Sequence, residues 1–351
     1  MLVNSILDTI GDTPLVKLKK FETYGNEIYI KLDGFNPGRS TKDRIALTMI
    51  EEAEKEGKLD GDTIVLEATS GNTGISLAMV CAVKGYKLKI VMPDTMSVER
   101  RKMMEIYGAE VILTDGKKGM KGCLEKLMEL QEKYKKVFIP NQFENMNNPK
   151  IHYNQTAKEI LEEMNNRVDI FIGGTGSGGS FTGIATRLKE ELNNVKTYPV
   201  EPESSPLLSK GYTGSHKIQG MGMNLGVVPK IYNNNLSDEV LTCKCDDAIS
   251  TMKELALKEG IFAGISTGAV IFTALEMAKK NSGKGLRIVV LSVDSGEKYF
   301  SRYIKMRVLK IESLKITIYN TLFKLNYFSS PIFNIPYISY NVHIKIRFMA
   351  Y

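Results

Sequence analysis

The chain has 351 residues, 43% hydrophobic and 25% charged, a balance that suits a folded protein of about two domains and excludes wholesale disorder. Thirty glycines without a period, eleven prolines and four cysteines exclude collagen-like, coiled-coil and disulfide-framework classes. The net charge of +7 would suggest a polyanionic partner, but residues 304–351 hold seven Lys or Arg against Glu312 alone, so residues 1–303 are nearly neutral and no nucleic-acid partner is expected.

The N-terminal MLVNSILDTIGDTPLVKL has no basic region ahead of an apolar core, so no signal peptide and a reducing cytoplasm are expected. No uninterrupted apolar run approaches the roughly 18 residues of a spanning helix, so no membrane role is expected either. From there to residue 303, apolar runs alternate with amphipathic stretches, the pattern of an α/β fold with parallel strands. The strand candidates in order are 27–32, 63–68, 87–92, 110–114, 168–173, 196–201 and 286–293. Several read as continuous apolar runs, as strands covered on both faces do. Between the first two, Ile45, Met49 and Ala53 recur at fourfold spacing, predicting a helix that ends at Gly57.

Three loop–helix junctions carry candidate chemistry. In FNPGRSTKDRIALTMI (35–50), Lys42 stands where a Pro/Gly-broken loop enters a helix. Alone, such a lysine reads as an ordinary solvated charge. In ATSGNTGISLAMVCAVKG (68–85), Thr69, Ser70, Asn72 and Thr73 present neutral donors at a helix start, which suits a carboxylate or a plain N-cap. In VDIFIGGTGSGGSFTGIATRLKEEL (168–192), an apolar strand runs through a glycine- and serine-rich turn into a helix, where converging N–H groups favour a phosphate. Ser177, Ser180 and Thr182 add hydroxyls there. Glu201, closing the next strand, keeps a dinucleotide site open on local pattern alone. Two anion-binding loops change the reading of Lys42. A phosphorylated cofactor that captures an amine, beside an amino-acid carboxylate, needs one desolvated lysine. Cys81, Cys123, Cys243 and Cys245 lack metal-ligand spacing and read as structural thiols, so no metal is expected.

Ten strings occur in one family's order: LDTIGDTPLVKL, NPGRSTKDRIA, TSGNTGISLA, MPDTMSVERRKMMEIYGAEVILTDGKKGMKG, PNQFENMNNPKIHY, GGTGSGGSFTG, VEPESSPLLS, HKIQGMG, GISTGA and DSGEKY. With them the chain resembles the cysteine synthase (O-acetylserine sulfhydrylase) and cystathionine β-synthase family of PLP-dependent β-replacement enzymes, from about residue 4 to 303. The resemblance settles the glycine-rich turn against NAD. It implies the two-domain fold type II of tryptophan synthase β-like enzymes, with parallel sheets and helices on both faces. The larger, cofactor-binding domain would comprise 1–35 and 149–303, and the smaller, mobile substrate domain 36–148.

The resemblance also implies roles. Lys42 is similar to the lysine that binds pyridoxal 5′-phosphate and shuttles the α-proton, and Asn72 to the residue bonding the cofactor's 3′ oxygen. Thr69, Ser70, Gly71, Thr73 and Gln142 resemble the substrate-carboxylate binders, and Gly176, Ser177, Gly178, Gly179 and Ser180 the phosphate cradle. Ser295 resembles the residue facing the pyridine nitrogen, where a neutral hydroxyl weakens the electron sink and favours loss of a β-substituent over transamination. The implied reaction forms L-cysteine from O-acetyl-L-serine and sulfide through α-aminoacrylate. A homodimer, and serine acetyltransferase as a partner, belong to the same implication. The alternatives are an enzyme that uses cysteine and releases hydrogen sulfide, with desulfhydrase, lanthionine or cystathionine outcomes, and a regulatory pseudoenzyme, against which an intact Lys42 speaks.

Four departures qualify the resemblance. Arg39 stands where the family usually has Gly; it is either a solvated charge or a receptor for the carboxylate of a larger second substrate. Asp33 and Ala68 are mild replacements of Glu and Pro. The loop GMGMNLGVVP (220–229) is longer and bulkier than usual, with Met223, Asn224 and Leu225, and bears on the leaving group, the nucleophile and the partner. The glycine-free tail 304–351 reads as an appendage unrelated to the fold rather than an added β-rich segment.

Overall fold

A computed structural model of the chain describes residues 2–223 and 226–299. The tail, and Asn224 and Leu225 of the bulky loop, lie outside the described residues.

Two sheets organise the molecule. A six-stranded sheet has the order β1-β2-β10-β7-β8-β9: β1 (Leu15–Lys17), β2 (Glu27–Leu32), β7 (Ile170–Gly174), β8 (Lys196–Pro202), β9 (Leu241–Cys243) and β10 (Arg287–Ser292). A four-stranded sheet, β5-β4-β3-β6, is drawn from the middle of the chain: β3 (Ile64–Ala68), β4 (Lys87–Pro93), β5 (Glu110–Thr114) and β6 (Val137–Phe138). Among the described residues, all strand pairings in these sheets are parallel except the edge hairpin of β1 with β2. The seven strands expected from apolar runs are all present within two residues. The three not expected, β1, β6 and β9, are two- or three-residue edge strands, too short to carry a period.

The helices are α1 (Lys42–Lys55), α2 (Asn72–Lys84), α3 (Val98–Ile106), α4 (Gly119–Lys133), α5 (Asn147–Ile151), α6 (Ala157–Glu163), α7 (Gly179–Glu191), α8 (Leu207–Lys210), α9 (Cys245–Glu259) and α10 (Ile265–Lys280). Alternation along the central strands divides the small sheet's two cores. Val65, Leu88, Ile90 and Met92 pack with Ala46 and Ile50 of α1 and Ile75 and Val80 of α2, while Leu66, Ala68 and Val91 face Cys123, Leu127 and Leu130 of α4. In the larger sheet, Phe171, Val289 and Leu291 pack against Ile160 of α6 and Phe181, Ile184 and Leu188 of α7. Helix α10, buried along most of its length, contacts β10 and β7. Gly57 follows the end of α1 with φ +68, the left-handed stop expected from the sequence. Among the described residues no helix is long and apolar enough to cross a membrane. Cys81, Cys123 and Cys243 are buried, and burial pushes the Cys81 and Cys243 thiols up to about 12, so neither ionises near neutrality.

One buried ionic cluster joins β2, α1 and α6. The Arg44 guanidinium donates from Nε to Asp33 Oδ2 (3.2 Å) and from Nη2 to Asp33 Oδ1 (2.9 Å). It also donates from Nη1 to Glu159 Oε1 (2.6 Å) and from Nη2 to Glu159 Oε2 (2.8 Å). Lys31 Nζ closes the cluster on Glu159 at 2.9 Å and Glu163 at 2.7 Å. Burial opposes every charge here, yet Arg44 holds Asp33 and Glu159 below the ordinary carboxylate range, and they hold Arg44 above its own. Removing one member leaves the others charged in a dry site. Arg44→Met should therefore lower stability by about 3–5 kcal/mol, read as a shift of the urea midpoint. An unchanged midpoint would show that water already satisfies the two carboxylates.

Candidate active site

Lys42 is the first residue of α1, two positions before Arg44, so the ionic cluster fixes the turn that carries it. The loop ahead is pinned to the end of β10, with Thr41 N–H donating to the Val293 carbonyl (2.8 Å) and Ser40 bridging Asp294. Burial lowers the Lys42 amine to about 8, with the Asp294 and Asp33 carboxylates pulling the other way. An amine near 8 is partly neutral at physiological pH, which a free lysine is not.

Asp294 leads to the second junction. Its Oδ2 accepts from Asn72 Nδ2 at 2.8 Å and from the Tyr299 hydroxyl at 2.6 Å. Gly71 is the N-cap of α2, and a Cβ built on it would meet open space. Thr73 Oγ1 donates to Gln142 Oε1 (2.7 Å), which brings together two of the residues expected to bind a carboxylate, from distant segments. The Gln142 carbonyl accepts from Asn148 Nδ2 (2.7 Å), and the same amide reaches Ser177 Oγ (3.3 Å) in the glycine-rich turn. Beneath Gln142, buried Glu67 accepts the Asn141 N–H (2.9 Å), and burial raises its carboxyl to about 7.

The third junction is the N-terminus of α7. Gly178, its N-cap, has φ +85, and an added Cβ would lie 2.8 Å from the Tyr232 ring, so only glycine turns the chain here. Gly176, Ser177, Gly179 and Ser180 surround it, leaving the first-turn N–H groups aimed at one spot. Ser180 Oγ shares a 3.0 Å hydrogen bond with His152 Nε2, whose Nδ1 meets Thr156 Oγ1. Burial, and the nearby Lys42 and Arg44 charges, drive His152 down to about 3, so it is neutral. Bonds link the three junctions: Asp294 pairs with Ser40 beside Lys42 and accepts from Asn72, and Gln142 and Asn148 carry the contact from Thr73 to Ser177.

Ser295 is placed differently from expectation. Its hydroxyl donates to Glu297 Oε1 at 2.6 Å, beside the Arg39 carbonyl. The residue sequence reasoning missed is Ser266, in the first turn of α10, 3% exposed with a hydroxyl that has no partner. It lies two residues after Gly264, where an added Cβ would collide with Asp294 Oδ1. GISTGA held the signal, a hydroxyl opening an apolar helix. Glu201, the acid that kept a dinucleotide site open, instead accepts the Leu208 and Ser209 N–H groups as the cap of α8. Arg39 is exposed at φ +64, and its side chain lines a groove with Ile6, Thr9, Met79 and Val83 that contains no candidate site residue. That favours the solvated charge over a receptor for a second substrate.

A phosphate cradle, a lysine with a lowered pKa and an orphaned buried hydroxyl are the donor set that pyridoxal phosphate needs. The chain matches the family model for pyridoxal-phosphate dependent enzymes over residues 6–294. It is 46% identical over 302 residues to the cysteine synthase of Staphylococcus aureus, covering 85% of this chain and 96% of that one. Among solved structures, a hydrogen sulfide-producing enzyme from Fusobacterium nucleatum is 66% identical, with a TM-score of 0.84 over 85% of this chain and 98% of that one. O-acetylserine sulfhydrylase of Entamoeba histolytica is 40% identical, with a TM-score of 0.83 over 86% of this chain and 90% of that one. The chain belongs to the pyridoxal-phosphate-dependent enzyme family, and its cofactor is pyridoxal phosphate, as the ten motifs implied.

Two outcomes follow. Uptake of the cofactor by cofactor-free enzyme needs the neutral amine, so its rate should rise with pH around a midpoint near 8; a stopped-flow midpoint near 10 would mean that Lys42 is solvated. The raised Glu67 carboxyl makes folding bind a proton, so its contribution is fully present below 4.5 and is lost as pH rises through about 7. Against Glu67→Gln, the wild type should therefore lose roughly 3 kcal/mol across that window in urea titrations, and parallel curves would overturn the assignment.

Proposed function

We propose that the enzyme forms L-cysteine from O-acetyl-L-serine and sulfide by replacement at the β-carbon. The observation that carries this is the set of bonds that ties the loop carrying Lys42 to the Asn72–Thr73 turn and that turn to the glycine-rich start of α7. Bound pyridoxal phosphate supplies the electron-withdrawing ring that lets an α-proton and then a β-substituent leave. The Gly176–Ser180 turn holds its phosphate, Lys42 Nζ holds it covalently, and one Asn72 N–H serves its ring oxygen. For the ring nitrogen we assign Ser266 in place of Ser295, because the Ser266 hydroxyl is buried without a partner while that of Ser295 is spent on Glu297. The hydroxyl stays neutral, so the sink stays weak and elimination is favoured, as expected for Ser295.

Thr69, Ser70, Gly71, Thr73 and Gln142 hold the substrate carboxylate, the Thr73–Gln142 bond setting the two halves of that site in register. Freed from the cofactor, Lys42 Nζ removes the α-proton and later returns it, a role its lowered pKa suits. The small sheet and its helices, residues 36–148, form the mobile module that closes over the substrate and excludes water. The exposed groove of Ile6, Phe35 and Val83 supports a homodimer, exposed Val227 and Val228 on the bulky loop support docking of serine acetyltransferase, and buried free thiols support a cytoplasmic setting.

The 66% identity to a hydrogen sulfide-producing enzyme favours one second reading, in which cysteine is the first substrate and sulfide leaves. The two readings share every residue above and differ in the leaving group. Purified enzyme given O-acetylserine and sulfide should form cysteine, and Lys42→Ala should lose about 10³-fold or more of that rate. Sulfide release from cysteine, with no product from O-acetylserine, would establish the second reading instead. Arg39→Gly should leave either turnover within about twofold, as a change confined to the surface does; a selective loss with a carboxylate-bearing thiol would return Arg39 to the site.

A further inference from the structure

Lys298, in the turn Gly296–Tyr299 that closes the described chain, has all three ammonium donors engaged. Nζ donates to the Gly38 carbonyl at 3.0 Å, the Arg39 carbonyl at 3.1 Å and Asn72 Oδ1 at 3.0 Å. On the other side of the same amide, Asn72 Nδ2 donates to Asp294 Oδ2 at 2.8 Å. We propose that Lys298 is a positioning residue that, with Asp294, fixes the orientation of the Asn72 amide for the cofactor and ties it to the loop that carries Lys42.

The geometry allows only one sense of the amide. Turned over, it would set its oxygen against the Asp294 carboxylate and its NH2 against an ammonium, two repulsive contacts in place of two charge-assisted bonds. Held as it is, one of its two N–H groups is spent on Asp294 and the other is left for a ligand acceptor. The Gly38 and Arg39 carbonyls belong to the turn three residues before Lys42, where Arg39 stands at φ +64, a conformation that costs a non-glycine residue and needs holding. A single half-buried ammonium therefore sets the Lys42 loop, the Asn72 turn and the C-terminal turn relative to one another.

The inference rests on the reading of Asn72 as a cofactor contact, and the test separates the two. Pyridoxal phosphate is titrated into cofactor-free full-length enzyme and followed by its visible absorbance, for wild type, Asn72→Ala, Lys298→Met and the double variant. Lys298→Met should weaken cofactor affinity about tenfold, and Asn72→Ala by a similar factor. The double variant should be no weaker than Asn72→Ala, because Lys298 acts through that amide. Lys298→Arg, which can reach the same acceptors, should stay within about threefold of wild type. Asp294→Asn removes the other constraint and should weaken affinity in the same direction, which keeps the proposal open to test if Lys298→Met fails to fold. Unchanged affinity in Asn72→Ala overturns both readings. A weakened Asn72→Ala beside an unchanged Lys298→Met, or losses that multiply in the double variant, overturns the positioning role alone.

Discussion

Everything at the cleft depends on where the first turn of α1 sits, and the buried Arg44 guanidinium decides that. Two carboxylates from separate elements, Asp33 after β2 and Glu159 on α6, accept its donors in paired geometry. Such a cluster is poor evidence for stability, since hydrophobic side chains of similar volume often serve as well. Its value is positional. Ions in a dry site tolerate few arrangements, so α1 cannot slide or rotate without stranding a charge, and Lys42 is carried on the same turn.

From that anchor a continuous polar path runs around the cleft. Thr73 to Gln142, Gln142 to Asn148 and Asn148 to Ser177 join the Thr69–Thr73 turn to the glycine-rich turn before α7 by bonds of 2.7, 2.7 and 3.3 Å. Ser180 and His152 continue it toward Lys42. One network thus runs through the residues proposed to hold substrate and cofactor, and a displacement at either end is felt at the other. The electrostatics follow burial. Lys42 is pushed down, Glu67 is pushed up and His152 is held neutral.

Much of this was legible in the sequence. The seven longer strands and the α1 stop at Gly57 followed from periodicity and from glycine's tolerance of positive φ. The three junctions followed from strand–turn–helix chemistry, because a helix start exposes donors whatever lies around it. The short edge strands escaped, having no period to read. Ser295 was placed by its string alone, and a string does not say which way a hydroxyl points. Arg39 was left between two orientations for the same reason; its exposure beside a groove with Ile6 and Val83 favours the solvated one.

The sequence by itself determined the fold class, the family and the cofactor, since these rest on local patterns that repeat wherever the same backbone is built. Tertiary structure alone decided which donors meet. Gln142 lies 69 residues from Thr73, Glu159 lies 115 from Arg44 and Lys298 lies 226 from Asn72. No local propensity encodes such pairs. They form because burying two sheets and their helices brings distant polar side chains within reach of one another, and an unpartnered polar group in that interior is costly.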